Sequence, residues 1–236
     1  MARLKNGIFG PIIGKLANVV GYVRLGQPVL RTISPSVPRK RTPAQQAVNE
    51  RFKVVMAFIS PLTRFINVSF RVEVLGTTQI AQNAAVSYNV KNAVKGTFPG
   101  LEMDYTKALV SKGTLPPAYH PTIEFSDGLL TFHWEQDTEI ERTRDRDQVM
   151  MVAFLPANNR AYYSLSGARR KEGTDVLEVH RIEKEDGNIY KKDFYIETYI
   201  AFISDDRQSI SDSVYVGRVD LSISLGCENI SPQIDS

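Results

Sequence analysis

Cysteine and histidine are scarce in this sequence. Its 236 residues include one cysteine, Cys227, and three histidines, His120, His133 and His180. A single cysteine excludes an internal disulfide framework and a thiolate metal cluster, and it is typical of a reducing compartment. The histidines lie on three separate segments without a second ligand at metal-binding spacing. We therefore predict no metal site and no cofactor.

Long apolar runs are also missing. The stretch from Met1 to Gly7 is basic, and the apolar residues after it are interrupted by Gly10, Pro11 and Gly14. This pattern argues against a cleaved signal peptide, and no apolar run approaches the length that spans a bilayer. We expect a cytoplasmic protein without a membrane span, with a virion or an extracellular assembly as open alternatives.

Motifs for catalysis and nucleotide binding are incomplete. Gly10 to Lys15 is similar to a phosphate-binding loop, but its glycine spacing is one residue short, and Leu16 replaces the Ser or Thr that would hold magnesium. Ser164 to Gly167 lacks the glycine that precedes the serine in a nucleophile elbow. No catalytic residue is predicted, and the expected protein is not an enzyme.

Acidic residues are nearly absent from the first 72 positions. That segment has twelve Lys or Arg against one acid, Glu50, which gives +11, and since the whole chain is +3 the remainder carries −8. Such a division is typical of a nucleic-acid or acidic-surface footprint, or of subunits whose basic end meets the acidic part of a neighbour. A solvated basic surface without a partner is the third interpretation.

The basic segment contains a β-rich ribbon. Lys15 to Ile33 has many β-branched and aromatic residues around a turn near Gly26, which predicts a β-hairpin. A hairpin is marginal alone in water, so it must pack on its own helix or on another subunit. The glycines upstream permit bends or close approach of the backbone. The residues expected at an assembly interface are Gly14, Val19, Val20, Tyr22, Val29 and Leu30.

A basic hinge leads into the strongest helix signal. Arg39-Lys40-Arg41 precedes Thr42-Pro43-Ala44-Gln45, which has the pattern of a capping box with proline at the first helical position. The helix is predicted to stop or kink at Ser60-Pro61. Free amides at a helix start, with cations beside them, favour phosphate. The residues predicted for such an anion site are Arg31, Arg39, Lys40 and Arg41.

The middle of the chain predicts mixed structure. A second helix is expected from Thr78 to Val94, and Met103 to Val110 is predicted as a strand. Val68 to Leu75 is left as a strand or a helical extension. The Gly- and Pro-containing run from Ser111 to Pro117 is predicted to be a domain boundary.

Short strands at regular intervals fill the rest of the chain. Seven are predicted, at Thr122–Phe125, Leu129–Glu135, Gln148–Leu155, Arg160–Leu165, Val176–His180, Phe194–Ile203 and Ser213–Val219. This is the pattern of an immunoglobulin-like or fibronectin type III-like β-sandwich, and the missing two-cysteine bridge favours the fibronectin-like form. Trp134, in the second strand, is interpreted as the core anchor.

These elements together predict an α+β protein, with an N-terminal β-hairpin plus helices followed by a C-terminal fibronectin type III/immunoglobulin-like β-sandwich. The expected domains are a basic, glycine-rich arm and hairpin in 1–41, a helical or mixed domain in 42–117, the β-sandwich in 118–220 and a tail in 221–236.

Three motifs occur in this order along the chain: Gly14 to Gly21 with Arg31 downstream, Asn83 to Val94, and Ser211 to Gly217. Together they resemble an uncharacterised protein family, a domain of unknown function common in Bacteroidota. The resemblance spans nearly the whole chain. It implies a bacterial origin and a chain used as one unit, and it implies no activity, cofactor or catalytic residue.

Two functions from different classes follow. The first is a structural protein that forms homo-oligomers through its N-terminal region and displays the β-sandwich. The alternative is a non-specific nucleic-acid-binding protein that uses the basic N-terminal segment, in which aromatic residues are sparse. A phage-derived virion component would combine the two.

Overall fold

The computed structural model describes residues 3–8, 10–33, 40–126, 128–136, 142–179 and 195–220. The chain divides into two compact units, Met1–Gln45 and Gln46–Ser236. Arg39, His180, Cys227 and the predicted tail 221–236 lie outside the described residues.

The first unit is a four-stranded antiparallel sheet. Its strands lie side by side in chain order: β1 (Arg3–Ile8), β2 (Ile12–Leu16), β3 (Val19–Arg24) and β4 (Gln27–Thr32). The pairing of β3 with β4 confirms the predicted hairpin, and its turn residues Leu25 and Gly26 have φ angles of 49° and 80°. Hairpin turns of this kind need positive φ at both central positions. Two further strands, β1 and β2, extend the hairpin beyond the prediction, and between them the Gly10 N–H donates to the Gly7 carbonyl at 3.1 Å.

Gly21 allows the backbone to approach closely at the centre of this sheet. A Cβ atom at Gly21 would lie 2.1 Å from the carbonyl oxygen of Ile12 and 3.0 Å from Cδ2 of Leu30. Only glycine fits there without displacing the neighbouring strand. Among residues 10–33 and 40–45, Gly21 is also the only buried residue. Residues 10–33 of this sheet therefore have no buried side chain.

Three helices precede the long strands. The first is α1 (Pro43–Ile59), and its predicted capping box is confirmed. The Thr42 N–H donates to Oε1 of Gln45 at 3.1 Å, and the Gln45 N–H donates to Oγ1 of Thr42 at 3.3 Å. The predicted interruption is confirmed too, because Ser60–Leu62 is a 3₁₀ turn between α1 and α2 (Thr63–Ser69). The second predicted helix is α3 (Ala81–Asn92).

The strand predicted from Met103 to Val110 is wrong. Only Glu102–Met103 (β6) pairs, with Val94–Lys95 (β5), and Tyr105–Lys107 is a 3₁₀ turn. The apolar residues Ala108, Leu109 and Val110 belong to the core beside the helices, so packing and not strand pairing explains their hydrophobicity. The undecided segment Val68–Leu75 ends α2 and then forms a 3₁₀ turn at Val72–Val74.

The seven later strands form at the predicted places. They are β7 (Tyr119–Ser126), β8 (Leu129–Glu135), β9 (Gln148–Leu155), β10 (Arg160–Ser164), β11 (Thr174–Glu178), β12 (Tyr195–Ile203) and β13 (Val214–Asp220). All their pairings are antiparallel, in a four-stranded sheet of order β10-β9-β12-β13 and a three-stranded sheet of order β11-β8-β7. The protein is thus a mixed α+β fold with several antiparallel sheets.

The central strands β9 and β12 are buried on both faces. Side chains of a strand alternate between faces. One face of β9, with Met151, packs with residues of the three-stranded sheet such as Phe132. The other face, with Val152, packs with helical residues such as Phe58 and Ile66. The helices and the four-stranded sheet therefore share one core.

Trp134 lies in the core, which confirms its predicted place. It is 4% exposed, its indole N–H donates to the Arg170 carbonyl at 2.7 Å, and its ring meets that of Phe202 edge-on at 5.6 Å. The buried guanidinium of Arg170 lies 3.7 Å from the centroid of Phe202 and donates to the carbonyls of Pro116 and Pro117. Arg170 thus links residues 116–117 to Trp134 of the three-stranded sheet and to Phe202 of the four-stranded sheet.

Candidate functional site

The six predicted assembly residues lie on two opposite faces of the N-terminal sheet. Directly paired residues of antiparallel strands project from the same face. Gly14 pairs with Gly21, which pairs with Leu30, whereas Lys15 pairs with Val20, which pairs with Arg31. This register divides the predicted set into Gly14, Val19 and Leu30 on one face and Val20, Tyr22 and Val29 on the other.

The first of these faces is apolar and exposed. It carries Leu16, Val19, Val23 and Leu30, and we call it the apolar face. Leu16 is 58% exposed, Val23 46% and Leu30 59%. Isolated exposed leucines are ordinary, whereas several exposed apolar side chains on one face form a patch of the kind that marks interaction surfaces in other proteins.

The opposite face is basic. Lys15, Arg24 and Arg31 project from it around Val20 and Tyr22, and we call it the basic face. Of the predicted anion-binding residues, only Arg31 lies here. Lys15 was missed as a member of this group, because only the strand register shows that it shares a face with Arg24 and Arg31.

The remaining predicted anion-binding residues precede α1. Lys40 and Arg41 are exposed, and Arg39 lies outside the described residues. The Gln45 N–H already donates to Thr42, and Pro43 has no N–H. The capped helix start therefore offers fewer free amides to a phosphate than the sequence predicts.

A polar cleft of about 580 Å³ lies in the second unit. It opens where α1, the β5–β6 hairpin and strands β9, β12 and β13 meet. Its walls carry four charged residues and several aromatic ones, among them Lys95, Glu102, Tyr105, Tyr195, Glu197 and Arg218. Clefts of this size hold small molecules in many proteins.

Glu197 is the buried carboxylate of this cleft. It is 4% exposed, and the Tyr215 hydroxyl donates to its Oε2 at 2.6 Å. Burial raises the pKa of Glu197, although the hydrogen bond from Tyr215 and the charge of Arg218 oppose the shift. Arg218 itself pairs with Asp220 at 2.9 Å. Within the described residues, no Lys or Arg forms an ion pair with Glu197.

Two further tyrosines, Tyr199 and Tyr215, contact residues that line the cleft. The Tyr199 hydroxyl donates to the Tyr105 carbonyl at 2.8 Å, and the rings of Tyr199 and Tyr215 lie 5.5 Å apart. Burial raises the pKa of Tyr105, Tyr199 and Tyr215, so these phenols stay protonated donors at neutral pH. The sequence contained one signal for this site that was missed: Glu197 is the one charged residue in the otherwise mostly apolar strand β12.

The comparisons with known proteins identify a family. The family of unknown function DUF6266 matches residues 11–217. The chain belongs to this family. Neither the curated proteins nor the solved structures yield a match. The match begins after β1, includes β2 to β12 with the helices between them, and ends within β13.

Two of the motifs that resemble the family hold one internal segment in place. Asn89, from the motif on α3, hydrogen-bonds the backbone of Leu109. Ser213, from the motif at β13, accepts hydrogen bonds from the N–H groups of Val110 and Ser111. Both motifs therefore have a structural explanation, since they join the helices to β13 through residues 109–111.

The histidines form no metal site in the described part of the chain. Nδ1 of His120 lies 3.0 Å from Oε2 of Glu135, and both side chains are exposed. His133 lies on β8, between Thr122 and Thr174 of the adjacent strands. Across the described ranges, no group of three His, Cys, Asp or Glu side chains is arranged to hold a metal ion.

One helical run has the length and composition of a membrane span. It is Pro43–Ser69, with 27 residues, whereas the sequence predicted no run of that length. Of its most apolar window, 39% is buried inside the structure. Core helices of folded domains pass the same test, and Phe58 and Ile66 of this run belong to the shared core.

Proposed function

We propose that the protein is a non-enzymatic structural subunit that forms homo-oligomers through the apolar face of its N-terminal sheet. The observation that carries the proposal is the exposure of Leu16, Val23 and Leu30 on one face of a sheet that has no buried side chain in residues 10–33. Burial of apolar surface is the main driving force of association, at about 25 cal/mol per Å². A second copy offers the same face and gives a two-fold contact.

The test is the solution mass of the purified full-length protein, measured by light scattering at low and high salt. Wild type is expected to form a defined multimer that persists in high salt, because apolar contacts are not screened. Leu16→Glu with Leu30→Glu should give a monomer with an unchanged circular dichroism spectrum.

The control for this test changes the net charge equally on the opposite face. Arg24→Gln with Arg31→Gln should leave the multimer intact. A monomeric wild type, or a Leu16→Glu and Leu30→Glu variant that still assembles, would overturn the proposal.

The basic face favours a second candidate function, non-specific nucleic-acid binding. Lys15, Arg24 and Arg31 share this face with Tyr22, and cations on one face can follow a phosphate backbone. Binding of a 30-base-pair DNA duplex should weaken steeply as salt increases. Arg24→Gln with Arg31→Gln should weaken binding and reduce the salt dependence, whereas equal binding by this variant excludes the basic face.

The seven later strands, β7 to β13, lie in two antiparallel sheets. We infer that the seven later strands form a fibronectin type III-like β-sandwich, which the subunit displays. The strand order supports this, because the fourth strand, β10, joins the sheet of β9, β12 and β13 instead of the sheet of β7, β8 and β11. A crystal structure with a different strand order would contradict it. The motif resemblance supports an origin in Bacteroidota, and we propose a cytoplasmic location.

A further inference from the structure

We propose that the cleft beside Glu197 binds a small zwitterion, a molecule of amino-acid size that carries both an ammonium and a carboxylate group. All residues that line this cleft belong to the second unit, Gln46–Ser236. Its residues come from α1, the β5–β6 hairpin, β9, β12 and β13, so packed elements of the second unit position them.

Glu197 selects the ammonium group. A buried ionised carboxylate is costly without a counter-ion. Tyr215 supplies one hydrogen bond, at 2.6 Å, but Arg218 pairs with Asp220, and its guanidinium lies 3.6 Å from the centroid of Tyr195. No described Lys or Arg takes the place of counter-ion at Glu197. A ligand ammonium would supply the missing charge.

Lys95 selects the carboxylate group. Its side chain is exposed at the mouth of the cleft. It is paired in register with Glu102, but among the described residues neither side chain forms an ion pair. Lys95 lines the same cleft as Glu197, and its charge acts on that carboxylate more weakly than the charge of Arg218 does. A molecule with a positive and a negative end can therefore engage both residues at once.

The remaining walls accommodate an apolar side chain. Val54, Ala57, Met103 and Pro156 line the cleft together with the ring of Tyr105. Pockets that hold small ligands combine such apolar walls with a few polar groups that fix the orientation, at volumes of roughly 300–1,000 Å³. The cleft, at about 580 Å³, falls within this range and can take a free amino acid with a large side chain.

The first experiment screens the twenty free amino acids, each at 5 mM, against the full-length protein by ligand-observed NMR. At least one amino acid with an apolar side chain is expected to bind saturably. Two analogues of the best binder follow, one that lacks the carboxylate and one that lacks the ammonium. Each analogue should bind at least tenfold more weakly, because each loses one charged contact.

Variants then assign the binding to the cleft. Glu197→Gln keeps the shape and the acceptor for Tyr215 but removes the charge, and it should weaken binding at least tenfold. Lys95→Gln, at an exposed position, should weaken binding without a change in folding. Glu124→Gln, an exposed acid on β7, is the matched control and should bind as wild type.

Four results would overturn the proposal. The first is no saturable binding by any of the twenty amino acids, and the second is analogues that both bind as tightly as the best amino acid. The third is wild-type affinity in both Glu197→Gln and Lys95→Gln, and the fourth is a neutral sugar such as glucose that binds more tightly than the best amino acid. Because none of these measurements depends on the oligomeric state, failure here leaves the proposed assembly untouched.

Discussion

The side chain of Asn89 pairs with the backbone of Leu109 as a neighbouring strand would. Its Nδ2 donates to the Leu109 carbonyl at 2.8 Å, and its Oδ1 accepts from the Leu109 N–H at 2.9 Å. The same Nδ2 also donates to the carbonyl of Ala85. Asn89 is completely buried, so these bonds satisfy polar groups that water cannot reach.

Replacement of Asn89 by Ala should destabilise the protein strongly. The Leu109 N–H and carbonyl would remain buried without these partners, at about 1–3 kcal/mol for each group. We expect a loss of at least about 2 kcal/mol in the free energy of unfolding, measured by urea titration. Asn92→Ala, which removes one exposed bond to the Tyr88 carbonyl, is the control and should cost less than about 1 kcal/mol. Equal losses in the two variants would contradict this role of Asn89.

Replacement of Arg170 by Ala should be at least as damaging. The substitution leaves buried Asp147 without the guanidinium 3.7 Å away, and it removes the bonds to the carbonyls of Pro116 and Pro117. Breaking a buried ion pair from one side costs about 3–5 kcal/mol. Thermal unfolding should show a large decrease in Tm. Its exposed neighbour Arg169 provides the control, and Arg169→Ala should change stability by no more than about 0.5 kcal/mol.

Replacement of Glu197 by Gln should stabilise the protein increasingly as pH rises. Burial raises the pKa of Glu197, so the folded state binds its proton more tightly than the unfolded state does. In wild type, the stabilisation from this tighter proton binding is complete below the pKa that Glu197 has in the unfolded state. It is lost as pH rises through the higher pKa that Glu197 has in the folded state. Glutamine does not ionise and removes the loss. Urea unfolding at several values from about pH 4 to pH 8 should show a difference between Glu197→Gln and wild type that grows with pH. A difference that shrinks would show that Glu197 is stabilised as the anion.

Replacement of Gly21 by Ala should disrupt the N-terminal sheet selectively. Its Cβ would lie 2.1 Å from the Ile12 carbonyl oxygen, a distance that only displacement of β2 can relieve. Amide hydrogen exchange in β2–β4 should accelerate, while exchange in β9 and β12 stays slow. The control is Gly100→Ala, whose Cβ meets nothing closer than the Thr97 carbonyl oxygen at 3.6 Å. Unchanged exchange in Gly21→Ala would refute the close approach.

Elements marked by local patterns were predictable from the sequence. The capping box at Thr42 and Gln45, the interruption at Pro61 and the positions of the seven later strands depend on neighbours in the chain, and the structure confirms them. The strand expected at Met103–Val110 failed because a short apolar run does not reveal whether a strand or a packed turn buries it.

Relations between distant segments were not predictable. Whether Val20 and Leu30 share a face depends on the register of β3 and β4, since a shift of one residue exchanges the faces. The shared core of the helices and the four-stranded sheet depends on tertiary packing between segments that are far apart in the chain. The cleft joins Lys95 to Glu197 across about a hundred residues of chain.

The double burial of β9 has a consequence for biosynthesis. Its partner β12 begins at Tyr195, about forty residues after β9 ends at Leu155. At about 5–20 residues per second, a ribosome adds this intervening stretch in roughly 2–8 s. During that interval the most apolar strand of the sheet is already translated and has nothing to pair with on that edge. A nascent chain that pauses in this interval exposes the unpaired apolar edge of β9, and chaperones bind such edges. A chain that terminates there exposes the same edge and is prone to aggregation, because it cannot complete the sheet.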